Sequence, residues 1–196
     1  MNVYSTKIWN KGEMIMKRES IGVFIDGDYL DGVLRNEFNS VRVDFYTLSQ
    51  LIVPEGAHRF RTYYYKSVPY ITLDSSEEER VRGDGIEKFL QSLRHLPRFK
   101  VRTGELNKMA DGQFKRKGVN VSLTVDITRL ATERVLDSVY IICADPDLLP
   151  LFKAVRDMGI MVRLYHGDNV PERMMAESDE SVQIDEDMVQ QCIREN

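Results

Sequence analysis

The sequence predicts a three-layer α/β domain, in which helices cover both faces of a mainly parallel sheet of about five strands, and three observations carry that prediction. Short β-branched or aromatic runs alternate with stretches of helical periodicity through most of the chain, the pattern of βαβ units. Two of these runs, residues 21–25 and 139–143, are apolar almost throughout, as buried strands are. Both stop at two carboxylates one residue apart, Asp26 with Asp28 and Asp145 with Asp147. With 196 residues, 42% hydrophobic and 30% charged, the chain suits one compact domain with a sizeable core.

Residues 1–20 are polar and mixed in charge, with Met14 and Met16 just ahead of the first strand, and they read as a leader whose composition permits flexibility. The domain proper is expected over 21–168 and an acidic extension over 169–196. After the first strand, residues 44–51 have a cap-like Asp44 and apolar Phe45, Leu48 and Leu51, a short helix ended by Pro54-Glu55-Gly56. Residues 59–66, with Phe60 and three consecutive tyrosines, form the second strand. Ser75-Ser76-Glu77-Glu78-Glu79 is a helix-start composition, followed by Ile86, Phe89, Leu90 and Leu93 at helical spacing. Phe99-Lys100-Val101-Arg102 alternates as a third, outer strand. Residues 103–117 read as a loop ending in Lys115-Arg116-Lys117.

Residues 118–134 are the next helix. At 100° per residue Val119, Leu123, Asp126, Ile127 and Leu130 share one face, with Asn120 at its edge. Asp126 therefore interrupts an apolar stripe and must be hydrogen-bonded, metal-bound or at the margin of the packed face. Residues 139–143 are the fourth strand, 147–158 a helix stopped at Gly159, and 160–165 the last strand before His166-Gly167-Asp168.

Charge is unevenly distributed around the net of −4. Residues 59–117 hold fourteen Lys and Arg against eight Asp and Glu, whereas residues 168–196 hold nine acids against two arginines. A basic middle hints at a polyanionic partner, although a solvated face accounts for many such runs. No stretch approaches the roughly 20 apolar residues of a membrane span. Cys143 and Cys192 make no metal or redox spacing, so a reduced, cytoplasmic protein without a membrane role is expected. His58, His95 and His166 are dispersed and read as structural or surface residues.

In the common strand order 3-2-1-4-5 the first and fourth strands are neighbours at the topological switch point, so their acids converge, and Asp126 can join them from its helix. Two carboxylates about 4 Å apart repel by roughly 4 kcal/mol at an effective dielectric near 20. They need a bound cation or a raised pKa, and oxygen-rich sites suit Mg²⁺ or Mn²⁺. Such an ion activates water and neutralises phosphate charge, chemistry that serves phosphodiester hydrolysis. Asp145 and Asp147 also fit a plain turn and helix cap.

Val23-Phe24-Ile25-Asp26-Gly27, the segment from Lys117-Gly118-Val119-Asn120 to Asp126, and Ala144-Asp145-Pro146-Asp147-Leu148-Leu149-Pro150-Leu151 together resemble the three motifs of the NYN domain, LabA-like branch, of the PIN-like nuclease superfamily. The resemblance runs from about residue 21 to 165 and rests on the ensemble of motifs. It implies a Rossmann-like (PIN-like) sheet, Mg²⁺- or Mn²⁺-dependent ribonuclease activity, and Asp26, Asp126, Asp145 and Asp147 as catalytic metal ligands. Asn120 stands where the helix motif usually has an acid, Tyr29 where the first motif often has Asn, and Cys143-Ala144 where Ser-Gly commonly precedes the Asp pair. Asn120 can still ligate through its carbonyl, and Asp28 is the other substitute.

RNA phosphates would meet Lys66, Lys115, Arg116 and Lys117, with Tyr64 or Tyr65 offering a stacking face. Two alternatives stand beside the ribonuclease. One is an RNA-binding or regulatory module with weakened catalysis, supported by Asn120. The other is a phosphatase resembling the haloacid-dehalogenase type, in which Asp26 is the nucleophile and Asp28 the acid. The acidic extension is a candidate packed helix, autoinhibitory cover, or surface for a protein partner or a second copy.

Overall fold

The computed structural model describes residues 5–10, 13–72, 75–108 and 114–194. Ahead of the main sheet, β1 (Ser5–Asn10) and β2 (Glu13–Arg18) pair antiparallel with Asn10 opposite Glu13, so the leader holds a two-stranded ribbon. The main sheet is built from β3 (Ser20–Asp26), β4 (His58–Pro69), β5 (Phe99–Lys108), β6 (Phe114–Lys117), β7 (Ser138–Ile142), β8 (Met161–His166) and β9 (Glu180–Gln183).

These seven strands lie in the order β6-β5-β4-β3-β7-β8-β9. All neighbours are parallel except β5 and β6. The inner five follow the expected order 3-2-1-4-5. The count is seven because each edge carries a strand that the sequence conceals. Part of the region read as a loop continues β5 to Lys108 and returns as β6, while 109–113 lie outside the described residues. Phe-Lys-Arg-Lys and Glu-Ser-Val-Gln are short and polar, the composition of protected sheet edges.

One helix was also concealed. α1 (Gly27–Glu37) contains Gly27 and Gly32, which depress helix propensity, yet Asp26 caps it and Leu30, Val33 and Leu34 bury one face. Gly27 is required: a Cβ there would sit 2.3 Å from the Tyr64 hydroxyl. α2 (Phe45–Leu51) is capped by Asp44, which accepts from the Thr47 amide at 2.6 Å. α3 (Glu77–Arg94) opens with a Ser76/Glu79 capping box. These three helices cover the face formed by Ile21, Val23, Ile25 and Tyr64. α4 (Val119–Thr132) and α5 (Leu149–Asp157) cover the opposite face, against Phe24, Tyr63, Tyr65 and Cys143.

The acidic end is part of the domain. α6 (Glu172–Ala176) buries Met174 on the α4 face, and α7 (Glu186–Gln190) follows β9. Ile184, Val189 and Cys192 enter the core on the α1 side, and the Asp44 amide donates to the Cys192 carbonyl at 2.7 Å. Of the roles open to this segment, packing is the one its contacts serve. Among the described residues no helix is long and apolar enough to cross a membrane.

Candidate active site

Ile25 on β3 pairs with Ile142 on β7, so both acid-ending strands terminate at one level of the sheet. On the other side Asp26 pairs with Tyr65, and Tyr65 with Arg102, giving one lateral row whose side chains share the α4 face. Cys143 is fully buried, and its thiol is pushed well up by burial and by the negative charges of Asp26 and Asp145. The strand ends that carry Asp26 and Asp145 thus adjoin, as the inner strand order requires.

A cation of the chain itself holds the β3 pair. Asp26, only 1% exposed, accepts the Asp28 and Tyr29 amides at 3.1 and 3.2 Å as the cap of α1. Both of its oxygens also accept from Nη2 of Arg116 at 2.8 Å. Asp28 receives Arg116 Nε at 3.0 Å, Lys66 Nζ at 2.9 Å and the Ser67 amide at 2.9 Å. Lys66 is shared with Asp31. Burial works against the Arg116 cation, but Asp26, Asp28 and then Asp145 outweigh it and raise its pKa. Arg116 is thus electrostatically common to three carboxylates.

The acids respond differently. Burial raises the Asp26 pKa, opposed by Arg116 and the Tyr29 amide. Burial also pushes Asp28 upward, but hydrogen bonds from Lys66 and Ser67 outweigh it and hold the group below the ordinary value. Asp145 is less enclosed: it accepts the Asp147 amide at 3.0 Å, capping the turn 146–148, and Asn120 Nδ2 at 2.6 Å. Asp147 is at the surface. Asp126, 6% exposed, bonds to Tyr65 Oη at 3.1 Å and to Arg102 Nε and Nη2 at 2.9 and 3.2 Å. It is a satisfied buried acid facing Arg102.

This donor set does not fit a resident divalent ion as it stands. Asp26 and Asp28 are engaged by a guanidinium, an ammonium and backbone amides, Asp126 by its own arginine and Asp145 by the neutral Asn120 amide, while Asp147 is exposed. Among the described residues no group of three or more His, Cys, Asp or Glu side chains is placed to hold a metal.

Several assignments to nucleic-acid contact are corrected by burial and pairing. Tyr65 and Tyr64 are 0% exposed and present no stacking face. Lys66 is largely buried between Asp28 and Asp31, and Arg116 lies inside the carboxylate group. Lys115 and Lys117 remain exposed, Lys117 with a long 3.9 Å contact to Glu105. The residue that sequence reasoning overlooked is Arg102. Alternation in Phe99-Lys100-Val101-Arg102 put Lys100 and Arg102 on one face, but the partner in that row, Tyr65, is set by register. The histidines have local roles: His95 contacts the Gln91 carbonyl, and buried His166 that of Gly167.

A family model for the NYN domain matches residues 20–185. A solved structure of a protein of unknown function from Vibrio parahaemolyticus RIMD 2210633 is similar in fold, with a TM-score of 0.63 and 18% identity over 86% of this chain and 94% of that one. Among curated proteins none matches. The chain belongs to the NYN domain family of the PIN-like nuclease superfamily, in which a nuclease or RNA-related function and dependence on a divalent metal are general.

Proposed function

We propose that this chain is an RNA-binding NYN domain of the LabA-like branch whose carboxylate site is a catalytically weakened form of a metal-dependent ribonuclease site. The observation that carries this reading is the Arg116 guanidinium in direct contact with both Asp26 and Asp28. Charge neutralisation, which a divalent ion supplies in metal sites of this kind, comes here from Arg116 and Lys66, while Asn120 adds no negative charge. RNA phosphates meet the exposed Lys115 and Lys117 on the edge hairpin. The buried free thiols Cys143 and Cys192 fit a cytoplasmic location.

A second reading, active Mg²⁺- or Mn²⁺-dependent RNA hydrolysis, is favoured by one observation: Asp26 and Asp145 follow adjoining parallel strands at the same end of the sheet. Its ligands would be Asp26, Asp126, Asp145 and Asp147, with Asn120 or Asp28. The phosphatase reading is disfavoured, because Asp28, its general acid, is paired with Arg116 and Lys66 and held below the ordinary carboxyl pKa, which favours the ionised form that has no proton to give.

Wild type and Asp145→Asn incubated with single-stranded and structured RNA, in Mn²⁺ and in EDTA, separate the two readings. Salt-dependent binding without cleavage, unchanged by EDTA, is expected. Mn²⁺-dependent cleavage lost in Asp145→Asn establishes the ribonuclease instead. Lys117→Ala should weaken binding across sequences and lower the salt slope by about one.

A further inference from the structure

We propose that the amino ends of β4 and β5 form a binding site for a small phosphate monoester, held by His58, Arg59 and Arg98. The site lies at the opposite end of the sheet from the carboxylates. His58 is seven residues ahead of Tyr65, the residue paired with Asp26, a separation of roughly 23 Å along an extended strand.

Arg59 is a buried cation, 7% exposed, whose partners are all neutral. Its Nε donates to Gln50 Oε1 at 2.7 Å, Nη1 to Thr62 Oγ1 at 2.7 Å and Nη2 to the Pro97 carbonyl at 3.2 Å. Its guanidinium carbon lies 5.3 Å from the centre of the Tyr46 ring and 5.4 Å from that of Phe99. Dipoles and ring faces fix the orientation of this charge without cancelling it. Arg102 and Arg116, at the other end of the sheet, each have a carboxylate. A buried charge without one is costly, and an anion from outside the chain relieves that cost.

Further positive charge converges on the same place. Arg98, at the turn into β5, has φ of +62°, in the left-handed region. Its Nη1 donates to the Arg59 carbonyl at 3.1 Å and to His58 Nε2 at 2.5 Å. Because arginine only donates, Nε2 accepts and the ring proton is on Nδ1. Burial, then Arg98, Arg18 and Arg59, lower the His58 pKa. Among the described residues no acid acts on His58 or on Arg59. A cleft lined by charge of one sign draws a counter-ion.

The cluster borders a cavity of about 360 Å³ that Tyr46, Gln50 and the 53–57 turn also line. That size falls within the roughly 300–1,000 Å³ of small-molecule sites. The acid on its lining is the exposed Glu55, and Glu19, which precedes β3, turns its carboxylate to Ser138 Oγ. Arg18, Arg59 and Arg98 against Glu55 leave two positive charges. A phosphate monoester, with close to two negative charges near neutrality, matches that balance, whereas a phosphodiester brings about one. Arginine is suited to phosphate oxygens because its N–H groups form a planar fork.

The test follows the His58 Cε1–H resonance of the full chain during titration with inorganic phosphate and with adenosine 5′-monophosphate at constant ionic strength. Both should move it saturably, and adenosine should not. Arg98→Gln, checked for folding by circular dichroism, should weaken monophosphate binding about tenfold or more by calorimetry. The exposed Arg98 is the position to change, because loss of the buried Arg59 endangers the fold. A short RNA carrying a 5′-phosphate, set beside the same RNA with a 5′-hydroxyl, distinguishes the sources of the monoester. Competition with the monophosphate by the first alone assigns the site to RNA ends, and competition by neither assigns it to free phosphate monoesters. Equal competition by both overturns the monoester assignment. A resonance unmoved by phosphate, an equal shift with adenosine, or wild-type affinity in a folded Arg98→Gln overturns the site. Lys117→Ala should leave monophosphate binding unchanged, so that phosphate binding here and RNA binding at the edge hairpin fail separately.

Discussion

The acids at the end of β3 and those at the end of β7 carry the same local signal, an apolar strand stopping at Asp-x-Asp, and the protein treats them in opposite ways. Asp26 and Asp28 are enclosed, and full positive charges from Arg116 and Lys66 hold them. Asp145 and Asp147 lie toward the surface, where a neutral amide and the turn's own backbone are enough. An enclosed carboxylate needs a counter-charge because desolvation disfavours its ionised form, whereas one near water does not. The difference teaches that a strand-end motif marks a place, and that burial and the neighbouring elements decide its electrostatic state.

Removing the counter-charge breaks the comparison most severely. Arg116→Ala leaves a buried Asp26 with only its backbone partners, and the expected loss is about 3 kcal/mol, at the lower end for a broken buried pair because Arg116 is itself one-third exposed. Urea unfolding checks it, and a loss under about 0.5 kcal/mol would show that the pair is not enclosed in solution.

Asp28→Asn sharpens the comparison through pH. Asp28 has a folded pKa below its ordinary value of 3.8, so its stabilising contribution is present above that value and lost as pH falls through the lower folded one. The variant should be about 1 kcal/mol less stable than wild type near neutrality. The two unfolding curves should meet as the carboxyl protonates in strong acid, and a gap that persists there would assign the loss to packing.

The smallest effect is expected on the β7 side. Asp147→Asn alters an exposed side chain while the amide that Asp145 accepts stays in place, so stability should change by less than about 0.5 kcal/mol. A larger change in denaturation midpoint would show that the surface acid is coupled to the enclosed group.

Much of the architecture was legible locally. Val-Phe-Ile and Tyr-Ile-Ile runs specify buried strands because nothing else of that length buries so much apolar surface, and their alternation with helical periodicity implies the parallel order. Asp126 was legible as a buried acid requiring partners, since it falls in the stripe with Leu123, Ile127 and Leu130. α1 was not legible, because its two glycines argue against a helix that Asp26 and the core stabilise from outside. The edge strands were not legible either, since Phe-Lys-Arg-Lys and Glu-Ser-Val-Gln have no apolar pattern and are strands through their neighbours' hydrogen bonds.

Taken by itself, then, the sequence determined the layered fold, the order of the inner strands and the end of the sheet where the acids gather, because periodicity and burial act through residues near one another in the chain. Only the tertiary structure decided which charges meet. Arg116 is ninety residues from Asp26, and Arg102 twenty-four from Asp126. Read along the chain, Arg116 belonged to a basic triplet suited to phosphate; folded, the hairpin turns it inward, where the enclosed carboxylates of Asp26 and Asp28 attract it.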